Sequence, residues 1–67
     1  MDSREMFAIN LRKQYGRSLL SKSETAKELT VSRATIDRMR KDGEIKSQKI
    51  GQQIRFNVKE IARVVMS

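Results

Sequence analysis

Two clusters of hydrogen-bonding side chains stand out in the 67-residue sequence. The first, Ser32, Arg33, Thr35, Asp37, Arg38 and Lys41, is dense in hydroxyl, guanidinium and ammonium donors, and the second, Lys49, Gln52, Gln53 and Arg55, adds amides. Guanidinium groups pair with phosphate and with flat acceptor edges, and amides both donate and accept. The chemistry on offer is therefore recognition rather than bond-making. The chain has neither His nor Cys, hence no thiol nucleophile, no side chain that titrates near neutrality when unperturbed, and none of the usual soft or borderline metal ligands. No enzymatic activity, metal or cofactor is expected.

Fifteen Lys and Arg against eight Asp and Glu give a formal charge of +7, which favours an anionic partner: nucleic acid, an anionic membrane surface or an acidic protein. A chain this short buries only about 60% of its unfolded surface, enough for one small core and no second domain. With no cysteine there is no disulfide staple, and a cytoplasmic location is expected. No apolar run approaches the ~18 residues of a membrane span. Met1 leads into Asp2 and Glu5 rather than a basic segment, so neither a membrane partner nor a secretory signal is expected.

Four segments, punctuated by Gly16, Gly43 and Gly51, must position the two clusters. From Asp2 to Tyr15, Phe7, Leu11 and Tyr15 recur at helical spacing, with Asp2 as N-cap, Glu5 three residues on and Gly16 past the end. This amphipathic helix, residues 1–18, serves packing or self-association. Ser21-Lys22-Ser23-Glu24 then forms a capping box that starts a short helix to Leu29, with Ala26 and Leu29 inward. Thr30 and Val31 make a tight connection, Ser32 caps the next helix, and Arg33 to Lys41 continue it with Ile36 and Met39 inward until Asp42-Gly43. Two short helices so joined form a helix-turn-helix. Glu44 to Phe56 reads as a hairpin with Gly51-Gln52 in a type II′ turn, Ile54 and Phe56 inward and Arg55 outward. A second capping box, Asn57-Val58-Lys59-Glu60, opens a last helix whose inward stripe is Val58, Ile61, Ala62 and Val65, leaving Val64 and Met66 outside.

The expected fold is mainly α with a small β-hairpin: a winged helix-turn-helix over residues 19–67, preceded by an extra N-terminal helix. Its second helix places Ser32, Arg33 and Thr35 at the N-terminal turn, where a helix entering a DNA major groove first meets base edges. Between Thr30 and Phe56 lie seven basic residues against three acidic, four of the net seven charges.

The run from Leu20 to Met39, then Asp42-Gly43-Glu44-Ile45 and Lys49 to Phe56, resembles the small excisionase-type, MerR-like winged helix-turn-helix domains of phages and mobile elements. The likeness extends from Leu20 to about Val65 and rests on the Val-Ser-Arg turn, the Asp-Gly stop and the Ile-Gly wing. It implies a double-stranded DNA-binding protein whose second helix enters the major groove and whose wing touches the adjacent minor groove or backbone. Ser32, Arg33, Thr35 and Arg38 match the recognition-helix contacts, and Lys49, Gln52, Gln53 and Arg55 match the wing. The sequence departs from the family with Thr30 in place of the usual turn glycine and Asn57 in place of a frequent proline. Thr30 need not be left-handed if the turn is of another type, and Asn57 is a good N-cap.

Each contact has a plainer reading. Arg33 can pair with Asp37 one turn on, although a cation at a helix N-terminus is unfavourable and asks for an external anion. Asp37 either accepts from cytosine or bridges Arg33 and Lys41. Arg38 and Lys41 suit phosphate contacts or a solvated face, and Gln52 and Gln53 are ordinary turn residues. The expected role is that of an excisionase, a recombination directionality factor that binds and bends DNA beside an integrase. The alternative is a small MerR-like transcriptional regulator working with RNA polymerase; either can self-associate on DNA. A basic protein-interaction module is the reading from another class. With three aromatics in the chain, an RNA-stacking platform is disfavoured.

Overall fold

The structure, a computed structural model, describes residues 2–67. Its elements in chain order are α1 (Ser3–Tyr15), β1 (Leu19–Ser21), α2 (Lys22–Leu29), α3 (Arg33–Lys41), β2 (Gln48–Ile50), β3 (Gln53–Asn57) and α4 (Val58–Val65). Helices α2 and α3 form the helix-turn-helix, and β2 and β3 form the hairpin wing.

Local chemistry sets most of the boundaries. The Asp2 carboxylate accepts from the Glu5 N–H at 2.8 Å to start α1, and Gly16, left-handed at φ 74°, ends it. The Ser21–Glu24 capping box closes in both directions: Ser21 Oγ accepts from Glu24 N–H at 3.1 Å, and the Glu24 carboxylate accepts from Ser21 N–H at 2.9 Å. At the end of α3 the Gly43 N–H donates to Arg40 O and the Glu44 N–H to Met39 O, the paired bonds of a Schellman stop, with Gly43 at φ 78°. Gly51, at φ 63°, and Gln52 connect Ile50 to Gln53 as the two-residue turn of the hairpin.

The chain departs from the sequence expectations at four places. The hairpin is part of a three-stranded antiparallel sheet in the order β1-β3-β2, with Leu20 opposite Phe56 and Gln48 opposite Arg55. Leu19–Ser21 is too short to show an alternation of its own, and its strand character comes from the partner. Thr30 is left-handed, at φ 58° and ψ 45°, and takes the C′ position of a second Schellman stop, with Thr30 N–H donating to Lys27 O and Val31 N–H to Ala26 O. The three-residue connection into α3 demands that reversal, so threonine bears a conformation glycine would adopt freely.

The third departure is the capping box of α4, which does not close: Asn57 Oδ1 accepts from Lys59 N–H at 2.8 Å, while Glu60 turns away to other partners. The fourth lies at the end of α4, where Val64 packs against the core and Val65 is exposed. The body approaches from the Val64 side because α1 and α2 both pack on α4.

The core is built from Phe56, Leu20, Ile36, Ile45 and Ile61, each at most 1% exposed, with Ala8, Leu11, Ala26, Val58 and Ala62. On α1 the most deeply placed residues are Ala8 and Leu11, whereas Phe7 and Tyr15 lie half-buried at its margin. Among the described residues no helix is long and apolar enough to cross a membrane.

Candidate nucleic-acid interface

Helix α3 begins at Ser32, whose hydroxyl accepts from Thr35 N–H at 3.1 Å and lies 3.0 Å from Thr35 Oγ1. The first turn carries no acidic residue. Its unsatisfied N–H groups and positive dipole end are therefore joined by Arg33, which is exposed and has no ion-pair partner among the described residues. Cation and dipole repel one another unless an anion lies between them.

Arg33 opens onto a groove of about 320 Å³ that it shares with Lys22 and Ser23 of α2 and with Gln52, Gln53 and Arg55 of the wing. No carboxylate lines this groove. The fold thus brings the start of the second helix and the wing tip together, as one surface of guanidinium, ammonium, amide and hydroxyl groups. Arg55 projects from the sheet face opposite Phe56, with one guanidinium N–H donating to Ile54 O at 3.0 Å. Arg38 and Lys41 lie exposed on the C-terminal half of α3, and Lys49 on the edge strand β2; none of the three lines the groove.

Asp37 pairs with neither Arg33 nor Lys41. Lys22 Nζ of the neighbouring helix sits 2.7 Å from its carboxylate and Arg40 at 3.6 Å. The Lys22 hydrogen bond, aided by Arg40, holds the Asp37 carboxyl below the usual carboxylate range. The pair ties the first turn of α2 to the middle of α3.

Lys22 and Ser23 were not singled out from the sequence. The signal was present in the Ser21–Glu24 capping box, which puts both in the first turn of α2. That this turn faces the wing follows only from the packing of α2 on β1 and β3.

The sequence model of a helix-turn-helix domain family matches residues 19–67, most of the chain. The chain belongs to this helix-turn-helix domain family. A domain of this family is a small DNA-binding unit, and in this one the groove between α2, α3 and the wing joins the unpaired Arg33 to the wing residues Gln52, Gln53 and Arg55 with no carboxylate in its lining. No curated protein and no solved structure matches the sequence.

Two further contacts position the surface of this helix-turn-helix domain. The Glu60 carboxylate accepts from Lys46 N–H at 2.9 Å and from Arg63 at 2.6 and 2.9 Å, and Arg63 donates onward to Glu44 O at 3.1 Å. This brace fastens the segment between α3 and β2 to α4; Arg63 and the Lys46 N–H hold Glu60 below its ordinary pKa. At the other end Arg17 bridges the Tyr15 carbonyl and Glu24, the residue that closes the α2 capping box. Glu24 too is held low, chiefly by the Ser21 N–H. The Tyr15 hydroxyl donates to Glu28, which with burial pushes its pKa up to about 12.

Proposed function

We propose that the protein reads specific sites in double-stranded DNA as an excisionase-type recombination directionality factor, binding and bending DNA to assist an integrase. The observation that carries the DNA-reading part is the start of α3: a positive helix end, an unpaired Arg33 and no carboxylate, opening on a groove shared with the wing. Ser32, Arg33 and Thr35 meet base edges in the major groove, and Arg38 and Lys41 hold phosphates along the helix. Lys49, Gln52, Gln53 and Arg55 engage the adjacent backbone or minor groove. Asp37 acts through Lys22 of α2, which it holds against α3, and through Arg40 of its own helix, rather than as an acceptor for cytosine. The work is done by binding in the cytoplasm, without catalysis or a cofactor. The resemblance of Leu20 to Val65 to excisionase-type, MerR-like domains supports a DNA-binding role of either kind, excision or transcription control.

Sheared DNA from the source organism, retained by the purified protein at moderate salt and sequenced, tests this reading. Direct repeats beside an integration junction are expected. Inverted repeats over a promoter would instead make the protein a dimeric regulator working with RNA polymerase. Uniform recovery with no enriched site would overturn sequence-specific binding altogether.

A further inference from the structure

Three cations line the groove at the start of α3: Lys22, Arg33 and Arg55. Of these, only Lys22 is in an ion pair among the described residues. Its partner, Asp37, is the one acid of α3, on a helix that otherwise carries Arg33, Arg38, Arg40 and Lys41. The Asp37 carboxylate does not itself line the groove. It reaches the groove through Lys22: one oxygen, Oδ1, lies 2.7 Å from Lys22 Nζ and 3.6 Å from the Arg40 guanidinium.

Stability gives little reason for an acid at this place. The side chains of Lys22 and Asp37 are 24% and 35% exposed, so the pair is in contact with water and contributes little to the fold. Helices α2 and α3 already share a core through Ala26 and Ile36. What the pair does change is the charge that the groove offers to a ligand. A carboxylate and a phosphate are the same kind of acceptor for an ammonium group. Each cation that neutralises a phosphate releases a counterion from DNA, and that release drives sequence-independent binding. A lysine already balanced by a carboxylate brings no net charge to the backbone and gains less there.

We propose that Asp37 is an internal competitor of DNA phosphate: it occupies Lys22 in the free protein and so withholds one of the groove's three cations from the DNA backbone. The inference rests on the DNA-binding reading above. Because phosphates are alike in every sequence, the effect is to lower affinity for DNA at large. A larger share of binding is then left to Arg33, which has no such partner, and to the base edges it meets.

The test is the binding of a random-sequence duplex by the full chain over a range of salt. Asp37→Asn keeps the shape of the side chain and removes its charge. It should bind about five- to tenfold more tightly than the wild type at about 0.1 M salt, the gain from one further phosphate contact. The logarithm of its affinity should also fall more steeply with the logarithm of salt, by about 0.9. Adding Lys22→Met to Asp37→Asn should return that slope to the wild-type value. Both variants should melt close to the wild type, since the pair adds little to stability. An unchanged slope in Asp37→Asn would overturn the inference. So would a steeper slope that survives the loss of Lys22, which would make Asp37 a repelling charge rather than a competitor. Failure of the wild type and both variants alike to bind duplex at low salt would instead remove the DNA-binding reading, and this inference with it.

Discussion

Helices α3 and α4 both follow an extended residue that caps them with an oxygen, and both run eight or nine residues, yet they are finished in opposite ways. Helix α4 brings its own anion. Glu60 in its first turn satisfies the Lys46 N–H and binds Arg63, while Val58, Ile61 and Ala62 are buried beneath it. Helix α3 has no acid in its first turn, displays Arg33 there, and buries only Ile36. One helix is electrostatically complete within the chain and serves the core; the other is left incomplete at the end where a ligand can complete it. The fold supplies Arg63 with two partners, Glu60 and the Glu44 carbonyl, and supplies Arg33 with none among the described residues.

The largest expected effect breaks the core side of that contrast. Ile61→Ala should destabilise the protein by about 2–5 kcal/mol, the usual cost of a truncation at a fully buried site. Chemical denaturation would show it, and a loss under 1 kcal/mol would mean that α4 is not the anchor described. Arg33→Ala should leave the denaturation curve in place but cost about 1–3 kcal/mol at the enriched DNA site, and less on random duplex. Equal losses on both DNAs would reduce Arg33 to a phosphate contact.

Glu60→Gln should remove about 1 kcal/mol at neutral pH, because Gln keeps only part of the acceptor set. Glu24, Asp37 and Glu60 all have lowered folded-state pKa values. The stability they contribute is therefore complete above the ordinary carboxylate range and is lost as pH falls through their folded values, below about pH 4. Thermal melting of the wild type and Glu60→Gln should differ at pH 7 and converge near the bottom of that fall; a constant gap would show that the Glu60 charge is not what braces the loop. Thr30→Gly should have the smallest effect, adding about 0.5–1 kcal/mol by relieving the left-handed threonine, less the entropy glycine adds to the unfolded chain. A destabilised variant would show that Thr30 is not strained.

Much of this fold was legible in the sequence where the interaction spans three or four residues. The Ser21–Glu24 box, the Asp2 cap, the Gly43 stop and the Gly51-Gln52 turn needed only their own neighbours, and each formed. Readings of one helix in isolation went less well. Asn57 and Glu60 have capping-box spacing, but the segment after α3 arrives with a free Lys46 N–H and takes the carboxylate. Val64 and Val65 are adjacent residues of equal chemistry, and only the position of the body chooses between them. Asp37 had two candidate partners on its own helix and took Lys22 from another.

The candidate site divides in the same way. The placement of Ser32, Arg33 and Thr35 at the start of α3 was legible because an N-cap fixes which residues occupy the first turn of a helix. Lys22 and Ser23 were not, since nothing local says that the start of α2 faces the wing.

The sequence by itself determined the helices, their caps, the turn glycines, the excess of positive charge and the cations of the second helix and wing, all of which follow from side-chain type and short-range spacing. Only the tertiary structure decided that Leu19–Ser21 becomes a strand, that Thr30 turns left-handed, that Asp37 is neutralised by Lys22, and that Arg33 shares a groove with the wing. The physical reason is that a cap or a turn is closed by atoms a few bonds away along the chain. Strand partners, ion pairs between helices and the walls of a groove are set by packing a core in which residues tens of positions apart compete for the same space.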